Sequence, residues 1–319
     1  MMLQSKPVVC LGILVADVVG RPIKEFPVPG RLVIVDEMGL YTGGCAANTA
    51  SDLVKMGVSV EVIGKVGQDS FGDFLIRELD QRGVGTRGVK RDTEVGSSAT
   101  MVMVDPDGER RFIHYLGANA RLSCADIDNA LIESASLFHL GGALVLPGID
   151  GKPSVNLLRQ ARQAGAITFL DTVWDTTGQW LETLGPYLPY TDYFLPSLPE
   201  AQAMTGCQEP LEVARALLEY GAAVVGLKMG GAGCLVVTRD GEAIRLPAFE
   251  VDAVDATGAG DAFVAGFMTG IWHDWSLENS ARFANAVGAL CVTGVGASGG
   301  VRSLEETLDF MDRAQVRPL

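Results

Sequence analysis

The sequence predicts an α/β protein: a mostly parallel central sheet with helices on both faces, plus two β-rich segments outside it. Three observations carry the prediction. From about residue 119 onward, strand-like apolar runs alternate with helix-like stretches, the order expected of a parallel sheet whose crossovers are helices. Two other segments, 15–42 and 93–118, are rich in Val, Ile, Pro and Gly and read as short strands and turns. Two glycine-rich turns, at Gly43-Gly44 and Gly258-Ala259-Gly260, each stand directly before a helix-like run.

Taken in order, Val8 to Leu14 reads as a buried first strand. The apolar run to Val19 contains Asp17 and is far shorter than the ~20 residues of a membrane span, and no small-residue cleavage site precedes Arg21-Pro22. Leu32-Val33-Ile34-Val35 reads as a short strand. Cys45 to Met56 is helix-like, Val58 to Ile63 strand-like, and a further helix starts near Phe71. Ser98 to Val104 leads into the turn cluster Asp105-Pro106-Asp107-Gly108, and Arg110 to Tyr115 returns as a second hairpin strand. Strands follow at Leu137–Leu140, Ile167–Leu170, Tyr193–Leu195, Val224–Lys228 and Cys234–Thr238, and Gly294 to Gly300 reads as a loop between two helices. The expected organisation is a core from 1–14, 43–92 and 119–319, with a β-rich unit from 15–42 and 93–118.

The 319 residues are 48% hydrophobic and 20% charged, enough to bury a substantial core. A formal net charge of −14 repels polyphosphate backbones and argues against a nucleic-acid partner. The six cysteines are scattered without a Cys-x-x-Cys pair, as expected of reduced thiols in a cytoplasmic protein. His114, His139 and His273 do not form a metal-ligand spacing.

Asp255-Ala256-Thr257-Gly258-Ala259-Gly260-Asp261 is the most informative stretch. Glycine lets backbone N–H groups approach a ligand, and a helix N-terminus offers unpaired donors with a positive dipole end that suits a phosphate. Asp261 in the same turn can take a proton from a hydroxyl held beside that phosphate. One segment thus holds the equipment for phosphoryl transfer to an alcohol. Gly-rich turns with a first-turn Asp also occur as plain helix starts, so a second motif matters.

That motif is Gly43-Gly44-Cys45-Ala46-Ala47-Asn48, a glycine pair that opens a helix with Asn48 in its first turn. With Asp17, Pro196 to Glu200, Lys228 to Gly233 and the Asp255–Asp261 stretch, the chain resembles the ribokinase-like carbohydrate kinases, the PfkB family, over nearly its whole length. The resemblance implies a ribokinase-like fold in which segments 15–42 and 93–118 form a small β-sheet lid over the substrate, and an ATP-dependent kinase acting on a sugar, with Mg²⁺. It implies Asp261 as general base, with N–H groups of Gly258, Ala259 and Gly260 as the anion hole. Asp17, Gly44, Asn48 and Asp255 would bind the sugar. Lys228, Gly230, Gly233, Gly258, Gly260 and Asn285 would lie at the nucleotide. For Asn285, a water-exposed amide on a helix face is an equal alternative. Asp171 is open between the cleft and a helix cap.

Where the family commonly has Asn-x-x-Glu, this chain has Ser197 and Glu200. Glu200 would organise Mg²⁺ through water; a plain first-turn acid is the alternative. The segment Val295 to Ser298 resembles the family's nucleotide-side loop, where K⁺ is often held by carbonyls. No basic residue follows Gly43-Gly44, which favours an acceptor without a phosphate. Arg31, Arg110 and Arg111 read as solvated hairpin charges. Tyr115, near Asn119, keeps a nucleoside acceptor as an alternative, and a non-catalytic sugar sensor on the same fold is a second. No membrane partner is expected, and the chain is open between a homodimer paired through its lids and a monomer. A Rossmann enzyme is excluded by the single Gly12 after the first strand.

Overall fold

The structure is a computed structural model that describes residues 3–106 and 109–318. Its strands are β1 (Val8–Gly12), β2 (Val15–Arg21), β3 (Glu37–Gly43), β4 (Val60–Gly67), β5 (Gly85–Asp92), β6 (Ala99–Val104), β7 (Arg110–Tyr115), β8 (Leu137–Ala143), β9 (Ile167–Thr172), β10 (Tyr193–Phe194), β11 (Val224–Lys228), β12 (Cys234–Thr238) and β13 (Ala243–Leu246). Its helices are α1 (Cys45–Lys55), α2 (Ser70–Gln81), α3 (Asn129–Ser134), α4 (Lys152–Gln163), α5 (Trp180–Leu184), α6 (Leu198–Thr205), α7 (Pro210–Glu219), α8 (Ala259–Trp272), α9 (Leu277–Cys291) and α10 (Leu304–Arg313).

Nine strands form the large sheet in the order β13-β12-β11-β10-β9-β8-β1-β4-β5. Pairing is parallel from β11 across to β5, and antiparallel in the β11-β12-β13 meander. All residues of β1 and β8 are buried, because helices cover both faces and leave no polar side. One face packs on α1, α8 and α9 through Leu53, Phe267 and Phe283; the other packs on α3, α4 and α7 through Leu131, Leu158 and Leu217. Each such fully buried side chain contributes roughly 1.5–3 kcal/mol. Parallel strands also bring their carboxyl ends to one edge, where ligands of open α/β sheets bind. Asp171 and Lys228 end β9 and β11 there.

The second sheet has four strands in the order β3-β2-β6-β7, drawn from the two β-rich segments. Strand alternation gives it two faces. Asp17, Val19, Tyr41, Val102, Val104 and Arg110 line a closed cavity together with Asp255 and Thr257. On the other face Leu40, Val18, Met101 and Ile113 pair in one row across all four strands.

The alternation at 32–35 does not become a strand. Those residues form an extended loop with Leu32 and Ile34 exposed, and the strand starts at Glu37. Its partner β2 has its register used up by Glu37–Gly43, so the earlier run has no ladder to join. Of the hairpin turn at 105–108, Asp107 and Gly108 lie outside the described residues.

Candidate active site

Gly258 caps α8 at φ 74°, and a Cβ there would lie 2.2 Å from the Ala297 carbonyl oxygen, so glycine alone fits this turn. Among the described residues, the N–H groups of Gly258, Gly260 and Asp261 meet no acceptor, and Ala259 N reaches Ala256 O at a long 3.4 Å. The turn therefore presents free donors at the positive end of a 14-residue helix.

Asp261 occupies the first turn of that helix and accepts a hydrogen bond from Asn48 Nδ2 at 2.8 Å, joining α8 to α1 across 213 residues. Burial pushes the Asp261 carboxyl above its ordinary range, against the opposing pull of Asn48 and Lys228. Burial also holds the Cys45 thiol neutral beside it. Asp17 lies close over Gly43, where a Cβ would fall 2.0 Å from its Oδ2, and Gly44 caps α1 alongside. Burial raises Asp17 to about 6, opposed by a Thr100 hydrogen bond and reinforced by the charge of Asp261.

Asp255 is tied in place: its Oδ1 accepts from Thr257 N at 2.9 Å and its Oδ2 from Gly296 N at 2.9 Å. Against the cost of burial, these bonds and Arg110 hold its carboxyl below the usual range. Arg110 reaches it from β7 at 3.3 Å and also donates to Thr257 Oγ1. This corrects the expectation of a solvated hairpin charge. Arg110 points into the cleft, drawn by a carboxylate that only the fold brings near. Arg111 does stay outside, half exposed against Asp105, and Arg31 lies in the exposed loop. Because Asp255 meets the charge of Arg110, the arginine does not by itself call for a phosphorylated acceptor. Tyr115, beside Ala99, is exposed on the face away from the cavity, whereas Tyr41 lines it.

Lys228 donates to Asp171 Oδ1 at 2.7 Å, with both side chains buried. Burial pushes the Asp171 carboxyl up to about 7, and the Lys228 charge beside it pulls the other way; Asp171 lies in β9, so it is not a helix cap. Glu200 stands nearby as N3 of α6. Its Oε2 is taken up by a capping box, accepting from Ser197 N at 2.9 Å and Ser197 Oγ at 2.6 Å. Ser197 thereby spends its hydroxyl on the helix end. Glu200 Oε1 makes no hydrogen bond among the described residues. That free carboxylate oxygen is the kind of hard donor that suits Mg²⁺, which needs few protein ligands and keeps its waters.

Gly230 and Gly233 open and close a short turn just after β11. Asn285 is buried, not water-exposed, and donates to Pro247 O at 3.1 Å. A Cβ on Gly233 would strike Leu246 O, so Gly233 and Asn285 meet the same 246–248 segment. That segment borders an open groove of about 800 Å³ lined by Gly231, Ala232, Glu250, Val251 and Arg317. In the 295–298 loop, Ser298 O accepts from Lys55 Nζ at 2.5 Å.

Sequence reasoning missed the Lys228–Asp171 pair and the inward turn of Arg110. The first had a trace: each charge ends an apolar run, Phe169-Leu170 and Val224–Leu227. For Arg110, whose neighbour Arg111 faces outward, only the strand phase decides.

A nine-stranded sheet with helices on both faces, a separate four-stranded sheet and this cleft between them define the ribokinase-like fold. The profile of the pfkB family carbohydrate kinases matches residues 5–303, and the chain belongs to that family. It is an ATP-dependent carbohydrate kinase. It is 31% identical to probable fructokinase-5 of Arabidopsis thaliana over 270 residues, 80% of this chain and 83% of that protein. Among solved structures, an apo putative ribokinase II from E. coli superposes with a TM-score of 0.84 at 25% identity, covering 97% of this chain and 99% of the other. The Arabidopsis thaliana ribokinase complexed with ribose and ATP gives 0.82 at 25% identity, covering 96% and 98%. No helix among the described residues is long and apolar enough to cross a membrane.

Proposed function

We propose that this kinase moves the γ-phosphoryl group of ATP to a hydroxymethyl group of an unphosphorylated sugar, with a ketohexose such as fructose first in line. The Asn48–Asp261 contact carries the reading: it fixes a raised-pKa carboxylate at the mouth of an unfilled N–H turn. Fructokinase as the name of the 31%-identical relative supports the ketohexose.

Asp17, Asn48 and Asp255 hold the sugar hydroxyls, and Gly44 leaves room for the ring. Asp261 takes the proton of the acceptor hydroxyl. The N–H groups of Gly258, Ala259 and Gly260 stabilise charge on the transferring oxygens. Glu200 would hold Mg²⁺ through water, and the metal when bound would offset phosphate charge. Gly230, Gly233 and Asn285 shape the nucleotide side. The small sheet covers the sugar and keeps out water, which limits wasteful ATP hydrolysis. Its outer row of Leu40, Met101 and Ile113 is exposed and is the surface through which two lids would pair; light scattering of Met101→Asp against the unaltered chain tests that.

ADP release from Mg-ATP across fructose, pentoses, sugar acids, sugar phosphates and nucleosides tests the function. Asp261→Asn is expected to cost roughly 10²- to 10⁴-fold in rate with the fold intact. Undiminished turnover in that variant removes Asp261 as the base. Nucleoside-dependent turnover moves the acceptor class, and binding without any turnover favours a sensor.

A further inference from the structure

Lys228 closes β11 with its ammonium turned inward. Its side chain is 12% exposed and that of its partner Asp171 is 2% exposed. A Cβ on Gly260 would lie 3.4 Å from Lys228 Nζ, so the ammonium stands against the first turn of α8. The neighbouring N–H groups of Gly260 and Asp261 have no acceptor among the described residues. Ligand atoms of Asp171, Asp261 and Cys45 lie within 4.8 Å of one another, which places the Lys228–Asp171 pair beside the proposed base.

A buried ion pair is a poor way to gain stability. Desolvating two charges costs several kcal/mol each, and an apolar pair of similar volume usually does as well. This pair also sits among further carboxylates, Asp261 from α8 and Glu200 from α6, whose charges raise the Lys228 pKa against the effect of burial. An ammonium kept charged there, next to free N–H donors, forms part of a site for mobile negative charge. Neutralising Asp171 alone does not require a position against α8.

We infer that Lys228 is a catalytic residue whose ammonium binds the phosphoryl group as it passes from ATP to the acceptor, and that Asp171 is a positioning residue that aims it. The inference rests on the kinase reading above and changes the place of Lys228, from the nucleotide side to the reacting centre. In the step, the acceptor oxygen forms a bond to the γ-phosphorus while the bond to the β–γ bridging oxygen breaks. ADP leaves with that electron pair, and the acceptor proton goes to Asp261. Lys228 keeps its proton throughout and meets the charge that gathers on the transferring oxygens.

The test is steady-state kinetics of Lys228→Met, Lys228→Arg, Asp171→Asn and the double variant Lys228→Met/Asp171→Asn, with melting temperatures and Mg-ADP affinity by calorimetry. Lys228→Met is expected to lower kcat by about 10²-fold or more, with ATP KM and ADP affinity within about threefold of the unaltered chain. Lys228→Arg is expected to recover part of the loss. Asp171→Asn is expected to lower kcat about tenfold, and the double variant to be no slower than Lys228→Met, because Asp171 acts through Lys228. The double variant also leaves neither partner of the pair behind as an unanswered charge, so it answers the question should Lys228→Met fail to fold. Turnover near that of the unaltered protein in either Met variant overturns the inference alone. So does a raised ATP KM with unchanged kcat. An unaltered protein inactive with every acceptor overturns this inference and the kinase reading together.

Discussion

Arg110, on the outermost strand of the small sheet, reaches across to Asp255 of the helix-entry turn at 3.3 Å and bridges the small sheet to the α/β core. Asp255 is also fixed by Thr257 N and Gly296 N, so the arginine grips a rigid post. Charge-assisted hydrogen bonds of this kind contribute about 1.5–3 kcal/mol each. Removing the grip is expected to loosen closure rather than unfold either sheet. Arg110→Ala should lower kcat/KM for the sugar by roughly 10- to 100-fold, since about 1.4 kcal/mol is a factor of ten. It should also raise ADP release in the absence of sugar, because an open lid admits water. Arg110→Lys keeps the charge but loses the planar guanidinium that holds Nη1 on both Asp255 and Thr257, and should fall between the two. Sugar kinetics and sugar-free ATPase rates that both match the unaltered chain would show that Arg110 holds nothing of consequence.

Sugar binding should depend on pH through Asp17. Burial raises its pKa to about 6, so the carboxylate that accepts hydroxyl hydrogen bonds is complete above that value and is lost as pH falls below it. The acceptor KM is therefore expected to rise as pH drops from 7 to 5, about tenfold per unit once well below the pKa. Asp17→Asn should bind sugar weakly and show a flat KM over the same range. The raised pKa of Asp261 acts on kcat, which separates the two carboxylates. An acceptor KM that stays level down to pH 5 in the unaltered chain would rule out this role for Asp17.

The fold was legible wherever pattern and period agree. Val224–Lys228 and Cys234–Thr238 are strands in the structure as they read in the sequence, because both strands of the hairpin have apolar runs bounded by turn residues. At 32–35 the period was right and the outcome wrong, since alternation says nothing about whether a partner strand is free. The two glycine turns of the candidate site were legible, because a turn before a helix is a local property. Asn48 and Asp261 are 213 residues apart, and their contact comes from the packing of α1 on α8, which no local signal encodes. Arg110, Asp171 and Lys228 gain their meaning in the same way. A charge at the end of an apolar strand is visible in sequence, but the charge that answers it is not.

Asp52 gives a prediction about stability. It lies in α1, wholly buried, and neither carboxylate oxygen has a hydrogen-bond partner among the described residues. Burial pushes its carboxyl up to about 7, with the nearby Ser298 hydroxyl and the Lys55 charge acting against that. The folded state thus holds the proton more tightly than the unfolded chain, whose value is near 3.9. Between about pH 4 and pH 7 the native protein binds more protons than the unfolded one, so stability falls as pH rises through that window. The effect is complete above pH 7 and absent below about 4. A gap of ~3 pH units at 1.36 kcal/mol each sets a ceiling of about 4 kcal/mol. Asp52→Asn cannot ionise, so it should match the unaltered chain near pH 4 and exceed its melting temperature by several degrees at pH 8. Because Asp52 stands outside the proposed base and sugar ligands, turnover of Asp52→Asn should stay within a few-fold of the unaltered chain. Melting curves of the two proteins at pH 4.5, 6 and 8 decide the matter, and a gap that does not widen with pH would mean that Asp52 is ionised and paired in the fold.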